Sequence, residues 1–217
     1  MTALAIDGPA GAGKSTVARA VASALGWRFV DSGALYRAIA LAVLQRGADA
    51  NDADAVAAIA EGADVDLDGK TVRLDGRDVS QRIRAADVTA IVSTVAANPR
   101  VRAALLDRQR RLAEDGNVVI EGRDIGTAVV PHADYKVYLT ASVDERARRR
   151  ALELDLPQDA ATLASMAESL SSRDVADATR DVSPLARAED AHEIDTTGLS
   201  LDEVVARICA IVEGRDG

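Results

Sequence analysis

Eight consecutive residues, Gly8-Pro9-Ala10-Gly11-Ala12-Gly13-Lys14-Ser15, fit the pattern G-x-x-x-x-G-K-[ST]. Their small side chains let successive backbone N–H groups turn inward on one anion. A helix opening at the end of the loop adds its positive pole to the same place. Lys14 brings a point charge for the outer phosphates of a nucleotide, and Ser15 offers a hydroxyl to Mg²⁺. The pattern has weight only between a strand and a helix. The apolar run Ala3-Leu4-Ala5-Ile6 and the helical pattern over Thr16–Leu25 supply both. A chance Gly/Ala-rich turn is the competing explanation, and lysine usage weighs against it: of 26 basic residues, only Lys14, Lys70 and Lys136 are lysine. The loop predicts nucleotide binding and is silent on what happens to the nucleotide.

Four other groups of residues could do chemistry. Asp31-Ser32-Gly33-Ala34-Leu35-Tyr36-Arg37 lies at a strand end and helix start, where open parallel sheets bind ligands; by itself it is equally a cap and a solvated arginine. Glu121-Gly122-Arg123-Asp124-Ile125-Gly126-Thr127 follows an apolar strand. Glu121 stands where phosphate-loop proteins keep an acid near the metal, and an Arg-Asp pair is more than a plain turn requires. Arg146, Arg148, Arg149 and Arg150 share one short helix, as a solvated face or as a clamp on transferring phosphate. In Arg173-Asp174-Val175-Ala176-Asp177-Ala178-Thr179-Arg180, helical spacing i, i+4, i+7 puts Arg173, Asp177 and Arg180 on one face. An exposed salt-bridge ladder would look the same. Metal-only chemistry has little to work with, since His132 and His192 are far apart in sequence and Cys209 is the single cysteine. No Ser-His-Asp grouping sits in a nucleophile-elbow context.

To hold such groups the chain needs a sheet whose strand ends carry loops. Alternating strand-like and helix-like segments predict an α/β fold with a parallel sheet flanked by helices. The expected strands are Ala3–Asp7, Trp27–Asp31, Asn117–Glu121, Tyr135–Thr140 and Glu193–Asp195. The expected helices cover Thr16–Leu25, Gly33–Gln45 with Asp31-Ser32 as cap, Asn51–Glu61, Ala86–Ala97, Arg100–Glu114, Val143–Leu152, Ala160–Arg173 and Leu201–Glu213. Between Asp64 and Arg84 the texture changes. Val65-Asp66-Leu67, Asp68-Gly69 and Thr71–Leu74 read as a hairpin, with a third short strand near Val79, so an antiparallel insert over 64–84 is expected within one domain spanning 1–217.

A chain of 217 residues with 48% hydrophobic and 28% charged residues can bury one substantial core. Its net charge of −9 argues against a broad nucleic-acid-binding face but not against small anions, which respond to local charge. With one cysteine there is no internal disulfide, no apolar run is long enough to span a bilayer, and the first strand begins almost at Met1. A reducing cytoplasmic setting is the expectation.

With these residues in view, the chain resembles the bacterial cytidylate kinases of the nucleoside monophosphate kinase family. The resemblance is carried by IDGPAGAGKST at 6–16, DSGALYR at 31–37, LDGRDVSQRIR at 74–84, STVAANPRVRAALLDRQR at 93–110, GRDIGT at 122–127 and RDVADATR at 173–180. It covers essentially the full length, and the insert separates this type from adenylate-like relatives. The resemblance implies a phosphate-loop fold with a small antiparallel acceptor-binding insert and a short lid over about 146–160. It implies ATP and Mg²⁺ as donor and cofactor, on Gly8, Pro9, Ala10, Gly11, Ala12, Gly13, Lys14, Ser15 and Thr16, with Ser15 toward the metal. Arg149 falls in the lid root. CMP and dCMP are the implied acceptors, with Arg37, Arg123 and Arg180 around their phosphate. Ser93, Arg102 and Asp124 match readers of the cytosine edge, Arg173 and Asp177 lie near the sugar, and Ser32 is an acceptor-site serine. Lys14, Arg123, Arg180 and Arg37 are the implied catalytic set. Glu121 departs from an aspartate often found at that place. The expected protein is a cytoplasmic monomer with small-molecule partners and no nucleic acid or membrane, closing its insert and lid over the nucleotides. Two other readings stay open from the residues alone: a kinase of another small acceptor such as UMP, AMP or a sugar-like acid, and a guanine-nucleotide switch. The latter wants N-K-x-D, and none of the three lysines follows an asparagine.

Overall fold

The computed structural model describes residues 2–114 and 116–214. In chain order the elements are β1 (Ala3–Asp7), α1 (Lys14–Leu25), β2 (Arg28–Asp31), α2 (Gly33–Gln45) and α3 (Ala53–Gly62). Then come β3 (Val65–Asp68), β4 (Thr71–Leu74), β5 (Arg77–Asp78), α4 (Ala86–Ala97) and α5 (Pro99–Glu114). The chain continues with β6 (Val118–Glu121), β7 (Tyr135–Thr140), α6 (Val143–Glu153), α7 (Ala160–Thr179), β8 (His192–Asp195) and α8 (Leu201–Val212). Two compact units result: Met1–Phe29 with Asp115–Gly217, and Val30–Glu114.

A five-stranded sheet runs in the order β2-β6-β1-β7-β8, all of its strands in the first unit except the Val30-Asp31 end of β2. β1 runs parallel to both β6 and β7, and β7 runs parallel to β8. Every residue of β1 and β6 is buried, as a continuous apolar run in a two-sided parallel sheet requires. Leu4, Ile6, Val119, Val137 and Leu139 from the strands pack with Val17 and Val21 of α1 and Val204 and Ile208 of α8. The neighbours of β1 are both distant in sequence, so the chain changes direction on either side of it. Ligand loops collect at such a switch point, at the carboxyl ends of the strands. The ends of β1 and β6 therefore deliver the phosphate loop and the Glu121–Asp124 segment to one edge of the sheet.

The second unit holds the antiparallel patch β3-β4-β5, with Val65 opposite Leu74 and Leu67 opposite Val72. Alternation in β3 and β4 puts Val65, Leu67, Val72 and Leu74 inside, and α2 packs on both strands and on α3 and α4. The Asp31-Ser32 cap expected for α2 is supplied by Asp31, whose carboxylate accepts the Ala34 N–H at 3.1 Å, while Ser32 makes no side-chain cap bond. Element boundaries follow the sequence reading closely, with two departures. Helix α7 runs past Arg173 to Thr179, because nothing in Asp174–Thr179 breaks a helix. Residues Ile125–Val129 form one π-helical turn where a plain loop was expected.

Candidate active site

Lys14 opens α1 directly behind Gly13, whose φ of 84° lets the loop turn into the helix. Gly8 is fixed by a harder constraint. A β-carbon there would stand 2.1 Å from the Leu139 carbonyl oxygen of β7, and its φ is +148°. The Lys14 ammonium is buried and donates to the Pro9 carbonyl at 2.7 Å. Burial, with the Arg123 guanidinium beside it, pulls Lys14 from the ordinary 10.5 down to about 7, and Arg173 acts in the same sense; Glu121 and Asp7 oppose them. Three cations thus converge behind the loop, an arrangement suited to a multiply charged anion.

The acids near these cations come from separate elements. Glu121, at the end of β6, accepts a short hydrogen bond from the Ser15 hydroxyl. Arg123 donates from Nε to Asp177 of α7 at 3.2 Å. Arg180 pairs with Asp124 at 3.4 Å and Asp177 at 3.8 Å, and donates to the Ser183 carbonyl. Asp7 closes β1 and accepts the Ile125 and Gly126 N–H groups at 2.9 and 2.7 Å, so the strand that starts the phosphate loop also fixes the turn after Arg123-Asp124. Its burial pushes the carboxyl up to about 6 despite those two bonds.

The arginine run divides by role. Arg146 is 5% exposed and donates to the Ala10 and Ala141 carbonyls and to Asp174. Arg149 donates to Glu145 at 2.8 Å and to the Thr196 hydroxyl and carbonyl at 2.9 and 2.8 Å, and its NH1 lies 3.7 Å from where a Gly13 β-carbon would be. Arg148 pairs with Glu145 and Arg150 with Glu153. Every arginine in the run therefore has an acid partner. Within the loop, Ala12 is buried and Thr16 points outward from α1. Ala10 is set apart, because its N–H donates to Asp174 at 3.3 Å.

The second unit gathers its own set. Arg37 of α2 donates to the Thr89 hydroxyl at 2.8 Å and the Ile83 carbonyl at 3.3 Å. Arg102 of α5 is buried, donates to the Ala96 carbonyl at 3.2 Å, and lies over the Tyr36 ring at 5.3 Å. The Tyr36 hydroxyl in turn donates to Gln109 at 3.4 Å. Ser32 is buried at the start of α2, and Ser93 is half-buried on α4.

The family model for cytidylate kinase matches residues 4–214 of this sequence. This chain belongs to the cytidylate kinase family. It is 47% identical over 216 residues to the cytidylate kinase of Anoxybacillus flavithermus, a match covering 98% of this chain and 96% of that protein. It is 48% identical over 210 residues to the cytidylate kinase of Symbiobacterium thermophilum, covering 94% and 93%. A bifunctional pantoate ligase/cytidylate kinase from Synechococcus sp. (strain WH7803) is 52% identical over 208 residues; the match takes in 93% of this chain and 42% of that protein, so the chain spans less than half of that relative. Among solved structures, a protein from Eubacterium ventriosum superposes with a TM-score of 0.55 at 11% identity, covering 98% of this chain and 99% of that one, which shows a shared fold.

For a cytidylate kinase the Ser15–Glu121 pair has a ready meaning. A hydroxyl and a carboxylate are hard oxygen donors of the kind Mg²⁺ takes, and they meet at the loop's end. Glu121 carries the same charge an aspartate would, and its carboxylate accepts from the Ser15 hydroxyl. Sequence reasoning missed Asp7, Asp174, Thr196, Tyr36 and Gln109. Asp7 and Asp174 sat inside the motifs and could have been asked for partners. Tyr36 and Gln109 also lay inside quoted motifs, whereas Thr196 gave no local signal. Among the described residues no helix is long and apolar enough to cross a membrane.

Proposed function

We propose that this cytidylate kinase moves the γ-phosphoryl group of ATP to CMP or dCMP by direct in-line transfer, giving ADP and CDP or dCDP. The observation that carries this reading is the convergence of Lys14, Arg123 and Arg173, with the charges of Glu121 and Asp7 beside Lys14 and Asp177 accepting from Arg123. Cations kept close in a buried place are stabilised when a polyanion arrives, and most of all when charge builds on a transferring phosphoryl group.

The roles follow residue by residue from the family's motifs. ATP phosphates lie along the Gly8–Thr16 segment, on N–H groups other than that of Ala10, which Asp174 holds, with Lys14 on the outer phosphates and Arg149 above Gly13. Ser15, with Glu121 behind it, would hold Mg²⁺, which would neutralise charge on the ATP phosphates. Arg37, Arg123 and Arg180 hold the CMP phosphate; Ser93, Arg102 and Asp124 read the cytosine edge; Arg173 and Asp177 face the sugar, and Ser32 belongs to the same acceptor set. An oxygen of the CMP phosphate, already an anion, attacks the γ-phosphorus. The new P–O bond forms as the bond to the β-phosphate oxygen breaks, and Lys14 takes up the charge left on ADP. No protein base or nucleophile is required. Excluding water keeps ATP from being hydrolysed instead. The enzyme works as a cytoplasmic monomer on small-molecule substrates.

The test is ADP production from MgATP with CMP, dCMP, UMP and AMP supplied separately. Turnover with CMP and dCMP at least about tenfold above AMP supports the reading, a margin that hydrogen-bonded base readers can supply. Equal turnover with AMP, or none with CMP, would remove it.

A further inference from the structure

Ala10 is held on three sides by α6 and α7. Its carbonyl accepts from Arg146 at 3.0 Å, and its N–H donates to Asp174 at 3.3 Å. Its methyl group packs in a buried cluster with Ala147 of α6 and Leu170 of α7, flanked by Met166 and Ala167. Arg146 and Asp174 are themselves joined by a short ion pair, their side chains 6% and 20% exposed. Arg146 also donates to the Ala141 carbonyl at 3.1 Å, so its fork is anchored to the end of β7. A phosphate loop ordinarily turns its N–H groups toward the ligand. Here one of them is committed to a carboxylate on a 20-residue helix. That helix carries Asp177, which pairs with Arg123, and it leads into Arg180.

We propose that Arg146 and Asp174 are positioning residues which clasp the Ala10 peptide and so make the phosphate loop's conformation set the stance of the Arg173–Arg180 segment. A rigid helix cannot absorb a displacement at Asp174 without passing it to Asp177, one turn on. Occupation of the loop by ATP phosphates therefore reaches the groups that meet the acceptor, and the two nucleotides bind cooperatively through this clasp. The proposal rests on the reading that Asp177, Arg123 and Arg180 engage CMP.

Asp174→Asn keeps the shape and removes the charge that Arg146 pairs with. Arg146→Lys keeps a cation but cannot donate at once to Ala10, Ala141 and Asp174. The measurement is CMP binding by calorimetry, alone and with a saturating magnesium complex of a non-hydrolysable ATP analogue, in the full chain. In the unaltered enzyme the analogue is expected to tighten CMP at least about fivefold, the lower end of ordinary coupling. In both variants that factor falls to less than about twofold, while CMP affinity without the analogue changes less than about threefold. Asp174→Glu, which restores the charge, recovers part of the coupling. A variant that folds and keeps the full factor overturns the proposal, as does an unaltered enzyme with no coupling. If one variant does not fold, the other decides. Absence of CMP turnover by the unaltered enzyme would instead count against the functional reading on which the proposal rests.

Discussion

Lys14 is where burial and charge act hardest on a single residue. Its value lies near 7, below the ordinary 10.5, through loss of solvent and the nearness of Arg123. A folded-state value below the unfolded one means that the stability tied to Lys14 is present above 10.5 and lost as pH falls through about 7. Ligand-free Lys14→Met is therefore expected to melt higher than the unaltered protein at pH 6, the difference shrinking as pH rises; a scan of melting temperature against pH checks this. A bound polyphosphate reverses the balance and returns the proton. Calorimetry of MgADP binding at pH 8, in two buffers of different ionisation enthalpy, should show proton uptake that Lys14→Met abolishes. In catalysis, Lys14→Ala should cut kcat about 10²–10³-fold with the circular-dichroism spectrum unchanged; near-normal turnover by the folded variant would remove the role given to Lys14. The loop and its lysine were legible in the sequence because their chemistry is local. Asp7 and Asp174 were not, because their partners, Gly126 and Arg146, lie far along the chain.

At the scale of elements, the strand–loop–helix at the amino end is held by backbone fit as much as by charge. Gly8→Ala would drive a methyl group into the Leu139 carbonyl of β7 at a backbone angle that L side chains rarely adopt. An obstacle made of backbone cannot rotate aside, so the substitution should destabilise the protein by about 2–4 kcal/mol. Urea denaturation would read this as a lower midpoint at unchanged slope. Most elements were readable from periodicity and from Gly, Pro and Asp signals: β1 and β6 from continuous apolar runs, and the β3–β4 hairpin from alternation about Asp68-Gly69. Two features were not. The π-helical turn over Ile125–Val129 has no sequence period of its own; its first two amides are fixed by the distant Asp7 carboxylate. Within the expected Asp31-Ser32 cap of α2 the bond went to Asp31, because two adjacent polar residues compete for one site and only backbone geometry decides.

At the scale of the whole molecule, a net charge of −9 coexists with the sites proposed to hold anions. Lys14 is buried, and Arg123 and Arg180 are paired with Asp177 and Asp124, so the field a phosphate meets at the loop is local. Ligands that bind only the folded chain stabilise it by mass action, about 2.7 kcal/mol at a hundred times Kd. For a protein of this size that corresponds to a rise in melting temperature of about 5–10 °C with saturating MgADP, to be read by differential scanning fluorimetry. No rise would mean that the loop does not hold nucleotide. The claim that joins all three scales is that the phosphoryl group passes straight from one bound nucleotide to the other, with the protein supplying position and charge. The most direct measurement is the configuration at phosphorus after transfer from ATP made chiral by oxygen isotopes at the γ-position. A single in-line displacement predicts inversion in the CDP product; retention would mean two displacements through a phosphorylated side chain and would contradict the account.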